Sequence, residues 1–389
     1  MLMKMKKTKY CFPVVGLLVA ALAFVSCHRP DEDSSDVDVA IGMSSSVSNR
    51  HFSTRAGIIN NLPGFQEQGS FGVFGWKEAT NPYSLLIFDN VEVTSYDPDA
   101  TDTDPAKSAW QYSPIRYWDK SATHYYFGAY APKLPTTASG VTGPSVAHSG
   151  DAASNQAYTI NSIPNWQTAT TGYDLMVAYD HNTPSYYLTE EKDAGNNIIR
   201  QAGYVNLEFS HILSQLVINT RLISAPNEVT YRITKLEIGQ NEDGKRVPEG
   251  DDATNNTSTY NFSYGSSSQA GSFGAFVPGT ATIYSDATGH EVTDPTTLVC
   301  TNFAVPFTVT NGIYLTIHYT STKRGVVTQE PAVTYPLVDE SSNNILAFEQ
   351  GKRYTATILF EKGKVIDLID VAIAVWQTGG SESHDVFNW

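Results

Sequence analysis

Short runs of aromatic and β-branched residues, separated by turn-forming residues, recur along most of this chain. They include 71–76, 85–93, 125–130 and 174–179, and clusters of Gly, Pro, Asn or Asp bound each run. Such side chains fit the half-buried surface of a pleated sheet, and turns at this spacing are typical of a β-sandwich. The sequence therefore predicts an all-β fold.

The same pattern continues in the second half of the chain, in runs at 205–209, 229–238, 303–309, 313–319 and 354–360. Residues 209–217 also fit a helical template, so a helical turn there stays open. The least apolar stretch between the two sets is 190–203. Because 389 residues are too many for one ordinary domain, we predict β-sandwich domains at 56–200 and 201–389.

The charge balance excludes nucleic acid as a partner. The chain has 25 basic and 40 acidic residues, a formal net charge of −15. Binding to a phosphate backbone needs a basic surface. An acidic surface also disfavours adhesion to anionic lipid head groups and is compatible with exposure on a cell surface.

Residues 1–26 have the layout of a secretory signal. Lysines come first, an apolar run follows at 12–25, and Ser26 precedes Cys27. The run is too short to span a bilayer as a stable helix. A lipoprotein signal peptidase accepts a small residue before cysteine, so we predict that Cys27 becomes the lipidated first residue; an ordinary signal peptide is the alternative. The acidic residues 31–33 are either an export signal or a solvated tether.

A short strand is predicted in the segment 27–55 that follows the signal. Its apolar residues alternate with small or acidic ones: Val37, Val39, Ile41 and Met43. A serine-rich stretch at 44–48 reads as a linker, and Arg55-Ala56 then lies among small residues. Such a segment favours an exposed protease site.

No catalytic motif occurs in the sequence. HExxH, CxxC, GxSxG, a P-loop and a GxGxxG after a strand are all missing, so we predict neither an enzyme nor a cofactor. His211, in an apolar run, is expected to be a packing or turn residue. Cys300 has no intrachain disulfide partner and is expected in the core.

Two other features have a binding and a structural interpretation. The aspartates of 97–104 are spaced like those of a calcium loop, but the turn glycine and the terminal glutamate are missing, which favours a solvated loop. Tyr186-Tyr187 and the surroundings of Trp110 are candidates for a sugar-binding platform. Aromatic residues at strand spacing are more often core residues.

Several ordered motifs resemble the fimbrillin family of the Bacteroidales. They are the aromatic segments 110–118 and 125–132, Asp174-Leu175-Met176-Val177-Ala178 ("DLM-A"), Phe209-Ser210-His211 with Leu213 and Leu216 ("F-H-L--L"), Gly351-Lys352-Arg353-Tyr354 ("GK-Y") and Val375-Trp376 ("V-W"). The resemblance implies a pilus subunit of two transthyretin-like β-sandwich domains, made as a lipoprotein. It also implies that an arginine-specific protease removes an N-terminal strand and that a strand of the next subunit fills the groove.

The resemblance places these roles on the lipid-bearing Cys27, on the cleavage site Arg55-Ala56 and on a C-terminal donor within 370–389. The stretch 370–375 repeats the pattern of 38–43 almost residue for residue. We therefore hypothesise that a donor strand docks where Val39, Ile41 and Met43 lie before cleavage, through Val371, Ile373, Val375, Phe387 and Trp389. The alternative is that 371–375 is an ordinary core strand of the second domain.

The expected function is that of a stalk or tip subunit of an adhesive pilus on the outer membrane. Its expected partners are other pilus subunits, an arginine-specific protease, outer-membrane lipid bound through Cys27 before processing, and a host or bacterial surface ligand. The alternative is a monomeric outer-membrane surface lipoprotein that binds glycans. Such a protein would need neither the arginine cut nor a donor strand.

Overall fold

The computed structural model describes residues 39–47, 70–78, 84–96, 109–149, 156–196, 198–224, 228–242, 245–246, 257–264, 269–274, 279–361 and 369–376. Strands dominate these ranges, which confirms the all-β prediction. The first thirteen are β1 (Gly42–Val47), β2 (Ser70–Glu78), β3 (Ser84–Tyr96), β4 (Ala109–Gln111), β5 (His124–Ala131), β6 (Ser145–Ser149), β7 (Gln156–Pro164), β8 (Trp166–Thr168), β9 (Met176–Asn182), β10 (Glu191–Lys192), β11 (Ile198–Arg200), β12 (Tyr204–His211) and β13 (Ser214–Leu222).

The strands of the second half follow in the same order. They are β14 (Val229–Glu242), β15 (Lys245–Arg246), β16 (Thr257–Tyr264), β17 (Gln269–Phe273), β18 (Ala281–Glu291), β19 (Thr297–Ala304), β20 (Phe307–Thr308), β21 (Ile313–Lys323), β22 (Val326–Gln329), β23 (Val333–Pro336), β24 (Ala347–Phe348), β25 (Lys352–Phe360) and β26 (Ile369–Val375). A single helical turn, α1 (Pro184–Tyr187), follows β9 and is capped by Thr183. In the described ranges, no helix has the length and apolar character that a membrane crossing needs.

The first sheet has the strand order β1-β12-β9-β5-β2-β3-β4. Some of its strands show the period of two expected for one apolar face, whereas β2 and β5 are buried on both faces. In β12, for example, Val205, Leu207 and Phe209 are buried and the residues between them are exposed. The sheet curls around the first core, which contains aromatic residues such as Phe71, Phe88, Tyr125 and Phe127.

Two sheets enclose the second core. One has the order β26-β25-β13-β19-β8, and the other has β15-β14-β21-β22, with β18 and β23 paired to it. Aliphatic residues fill the space between them, among them Ile218, Leu236, Leu315 and Ile358. Cys300 packs half-buried against this core, and burial raises the pKa of its thiol to about 12.

A third apolar layer joins the two sandwiches. The sheet β17-β16-β7-β6 covers the outer face of the first sheet through stacked rings. The ring centroid of Tyr158 lies 5.0 Å from that of Phe74 and 4.8 Å from that of Phe262. Phe303 and Trp376 of the second sandwich belong to the same layer. β8 precedes residue 200 but lies in the second sandwich, and β12 follows residue 200 but lies in the first. The two sandwiches therefore each contain strands from both sides of residue 200. The domain boundary there stays a prediction.

Two local interpretations of the sequence are decided by the strands. Residues 209–217 belong to the end of β12 and the start of β13, not to a helical turn. Residues 211–218 are all buried, because both faces of the start of β13 are covered. The serine-rich stretch was predicted as a linker, but residues 44–47 are part of β1, whose backbone pairs with β12.

Candidate functional site

The N-terminal segment fills a gap in the first sheet. β1 runs parallel to β12 on one side. On the other side, residues 39–41 pair antiparallel with 116–118: the N–H of Ile41 donates to the Arg116 carbonyl (2.8 Å), and the N–H of Trp118 donates to the Val39 carbonyl (2.9 Å). The segment 39–47 is therefore hydrogen-bonded on both sides, through 39–41 to residues 116–118 and through 42–47 to β12.

The same segment contributes side chains to the first core. Ile41 and Met43 are each 2% exposed, and Val39 is partly buried against the same cluster. The Tyr112 hydroxyl, itself buried, donates to the Ile41 carbonyl at 2.7 Å. Without residues 39–47, an apolar groove and two unpaired strand edges would face solvent, which is a template for β-augmentation. Val37 lies outside the described residues.

The fit around Gly42 is tight. A Cβ at this position would lie 2.7 Å from the ring of Tyr204, so a larger residue requires that ring to turn. Gly203 has a φ of +88° in the left-handed region, and its carbonyl accepts from the Gly42 N–H (2.8 Å) and from Trp118 Nε1 (2.9 Å). The groove accepts a strand with a small residue at this position most easily.

Among the described strands, the C-terminal strand β26 lies at the edge of its sheet and pairs with β25 alone. Val371, Ile373 and Val375 share one face because side chains alternate along a strand. Val371 is fully buried, but Ile373 and Val375 are 47% and 52% exposed. The Val371 N–H donates to the Val338 carbonyl (2.9 Å) on the outer edge. Half of the apolar face of β26 is thus uncovered.

The other predicted site residues lie outside the described ranges: Cys27, Arg55, Ala56, Phe387 and Trp389. The aspartates of the 97–104 loop also lie there. The structure does bring together Val39, Ile41 and Met43 with the segment 112–118. The sequence showed this segment only as an aromatic family landmark and not as one wall of a groove.

Two carboxyl groups close to the strands that line the groove have shifted pKa values. The Lys77 ammonium, 2.8 Å from Asp119, and hydrogen bonds from Ser121 hold the pKa of the Asp119 carboxyl down at about 2. Asp119 directly follows the wall residue Trp118. Burial raises the pKa of Asp180 on β9 to about 6, although the Asn206 N–H donates to it at 3.4 Å. The groove itself is lined by apolar side chains and backbone groups.

Packing accounts for most of the aromatic sugar-platform candidates. Tyr187 is fully buried in the first core, and Trp110 packs edge-on to Phe71 with ring centroids 4.9 Å apart. Tyr186 is 37% exposed, and the Arg200 guanidinium lies 3.6 Å from its ring centroid. A flat, free aromatic surface is not formed by these residues.

Comparisons with known proteins agree with this architecture. A family model described as fimbrillin-like matches residues 54–376. A fimbrial protein from Bacteroides vulgatus has a similar structure, with a TM-score of 0.51 and 13% identity, over 87% of this chain and 99% of that chain. The tip fimbrial protein Mfa3 from Porphyromonas gingivalis gives a TM-score of 0.31 and 8% identity, over 79% of this chain and 94% of that chain.

No curated protein matches the sequence. Structural likeness at these identities shows the fold alone, whereas the family model spans well over half of the sequence. The family is a structural and adhesive one and not an enzymatic one. The chain belongs to the fimbrillin-like family.

Proposed function

We propose that the chain is a stalk or tip subunit of an adhesive surface pilus and that it polymerises by strand exchange. One observation carries the proposal: residues 39–41 pair with 116–118 on one side, residues 42–47 pair with β12 on the other, and Ile41 and Met43 are buried in the first core. Removal of this segment leaves a groove that fits one strand. A strand with the same apolar pattern from another subunit is the natural occupant.

The proposed donor is the C-terminal segment, extended by Phe387 and Trp389. In the register that aligns 370–375 with 38–43, Ile373 takes the place of Ile41 and Val375 that of Met43. Ala374 then stands where Gly42 lies, and its methyl group requires the Tyr204 ring to turn. Tyr204 is half-buried, so the ring has room to do so.

Export and activation complete the proposal. Cys27 carries the lipid that holds the precursor at the outer membrane, and an arginine-specific protease cuts between Arg55 and Ala56. This bond lies between β1 and β2, so the cut separates the N-terminal strand from the rest of the first sandwich. The partners are then other subunits, and a host or bacterial surface ligand is the target of adhesion.

The test is assembly after controlled cutting. Purified precursor treated with an arginine-specific protease is expected to form filaments under the electron microscope and SDS-resistant ladders on gels. Untreated protein and a treated Arg55→Ala variant are the matched controls, and both should stay monomeric. A treated wild type that stays monomeric and binds immobilised glycans would support the monomeric lipoprotein instead.

A further inference from the structure

Four residues, one from each of four family motifs, are in contact in a buried cluster between the sandwiches: Asp174, His211, Gly351 and Trp376. Trp376, which directly follows β26, is 4% exposed, and its ring stacks on His211 with centroids 3.9 Å apart and planes 5° apart. The backbone N–H of Trp376 donates to the Gly351 carbonyl at 2.6 Å. Asp174 completes the group, because its Oδ1 lies 2.7 Å from His211 Nδ1.

The cluster connects the C-terminal strand to the first sandwich. His211 is the last residue of β12, and Asp174 precedes β9 by two residues, so both lie at the same end of two neighbouring strands of the first sheet. Their side chains are 3% and 0% exposed. Phe303 of the second sandwich also stacks with the Trp376 ring, with ring centroids 5.4 Å apart. The end of β26 is thus held between both sandwiches.

Stacking, and not side-chain hydrogen bonding, holds the Trp376 ring in place. Trp376 Nε1 and His211 Nε2 are both buried and have no hydrogen-bond partner among the described residues. A buried polar atom without a partner costs free energy, so this packing is less favourable than a fully satisfied one. The stacked rings and their burial are therefore the contacts that hold the Trp376 side chain.

The other contacts of β26 lie mainly along one edge. Among the described residues its one strand partner is β25, the Val371 N–H donates to the Val338 carbonyl, and Val371 is the one fully buried side chain among residues 371–375. We propose that Asp174, His211 and Trp376 form a lock that keeps β26 in its own subunit, and that Trp376 must leave the lock before β26 can be donated. The second half of this proposal rests on the proposed strand exchange. The first half can be measured without it.

The test is hydrogen exchange on the uncut, full-length protein. In Trp376→Ala, peptides covering 369–376 should exchange roughly tenfold faster or more, relative to peptides of β13, because stacking and burial are both lost. Trp376→Phe keeps a stacking ring and should stay within about threefold of wild type. Equal acceleration of β26 and β13 in Trp376→Ala would overturn the lock.

Trp166→Ala is the matched control. Trp166 is a half-buried ring in the same sandwich that packs edge-on to Phe307 and Phe348 and has no ring contact with Trp376. Its loss should not accelerate β26 selectively. If Trp376→Ala fails to fold, His211→Gln serves in its place, since it removes the stacking ring and retains an amide that can donate to Asp174. No selective loosening of β26 in that variant would also refute the lock.

Assembly after the arginine cut separates the two proposals. Trp376→Ala should form ladders faster than wild type because its donor strand is already released. If hydrogen exchange in β26 is selectively faster in Trp376→Ala but neither wild type nor any variant forms ladders after the cut, the lock is supported and strand exchange is refuted. If the variants form normal ladders and the hydrogen exchange of β26 is unchanged in Trp376→Ala, the lock is refuted and strand exchange is not.

Discussion

Replacement of Ile373 by aspartate tests the strand-exchange proposal most sharply. Ile373 is 47% exposed in β26, so the subunit gains about half of the burial energy of this side chain. Full burial of an isoleucine contributes about 1.5–3 kcal/mol, so Ile373→Asp should lower the free energy of unfolding of the uncut protein by about 1 kcal/mol. The variant should therefore fold.

The same substitution has a much larger effect in the groove. Ile41, whose place Ile373 would take, is 2% exposed within the first core. A carboxylate buried there without a partner loses the apolar contribution and also its hydration, a combined cost of at least about 4 kcal/mol. Because each 1.4 kcal/mol is a factor of ten, the association constant should fall by about a thousandfold or more.

Two further variants control for charge and for position. Ala372 is exposed in β26 and aligns with Ala40, which is exposed beside the groove, so Ala372→Asp should assemble within about threefold of wild type. Ile41→Asp should show the opposite pattern. It should destabilise the uncut protein by several kcal/mol but leave assembly after the cut unchanged, because residue 41 has then been removed.

Urea unfolding of uncut protein and light scattering after the cut provide the two measurements. If Ile373→Asp assembles as well as Ala372→Asp, Ile373 does not enter the groove and the proposed register is wrong. If Ile373→Asp instead unfolds the uncut protein, 371–375 acts as the core strand that the alternative interpretation requires.

Three more predictions concern lipidation, cleavage and pH. A palmitate analogue should label wild-type cells but not Cys27→Ala, and equal labelling would refute lipidation there. Arg55→Ala should accumulate as a folded monomer, and normal assembly of this variant would reduce 27–55 to a tether. Burial raises the pKa of Asp180 from 3.8 to about 6, so the folded state retains a proton that the unfolded state releases, and stability should fall as pH rises from 4 to 6. Asp180→Asn should remove this slope in urea unfolding from pH 4 to 8 and be more stable than wild type at pH 7; an unchanged slope would contradict the assignment.

The sequence was informative wherever local periodicity decides the structure. The alternation in β12 and β25 predicted strands with one buried face, and Ile41 and Met43 are buried as the pattern at 37–43 indicated. The serine-rich stretch was misjudged because serine has no strong apolar signal, whereas its backbone hydrogen bonds to β12 hold it in the sheet.

Long-range pairing could not be predicted from the same information. β13 lies beside β25 in parallel, and the cluster of Asp174, His211 and Trp376 joins three distant motifs. Periodicity determines which face of a strand is apolar but not which strand lies next to it. The motif residues were visible as family landmarks, but their mutual contact depends on the packing of the two sandwiches.

The position of the proposed cut explains how a doubly paired strand could be exchanged at all. In the uncut chain, β1 is joined covalently to the first sandwich, which gives it an effective concentration on the order of 1 mM at the groove. A donor present at about 1 μM then competes at a disadvantage of about a thousandfold, or about 4 kcal/mol. Cleavage after Arg55 removes that advantage, and a strand that dissociates is diluted. In the proposed exchange the donor replaces its ladder with β25 by pairing with residues 116–118 and β12, and the burial of the exposed halves of Ile373 and Val375 contributes about 1 kcal/mol each. In the proposed mechanism the cut is thus the thermodynamic switch, because it changes the effective concentration of the N-terminal strand and not the shape of the groove.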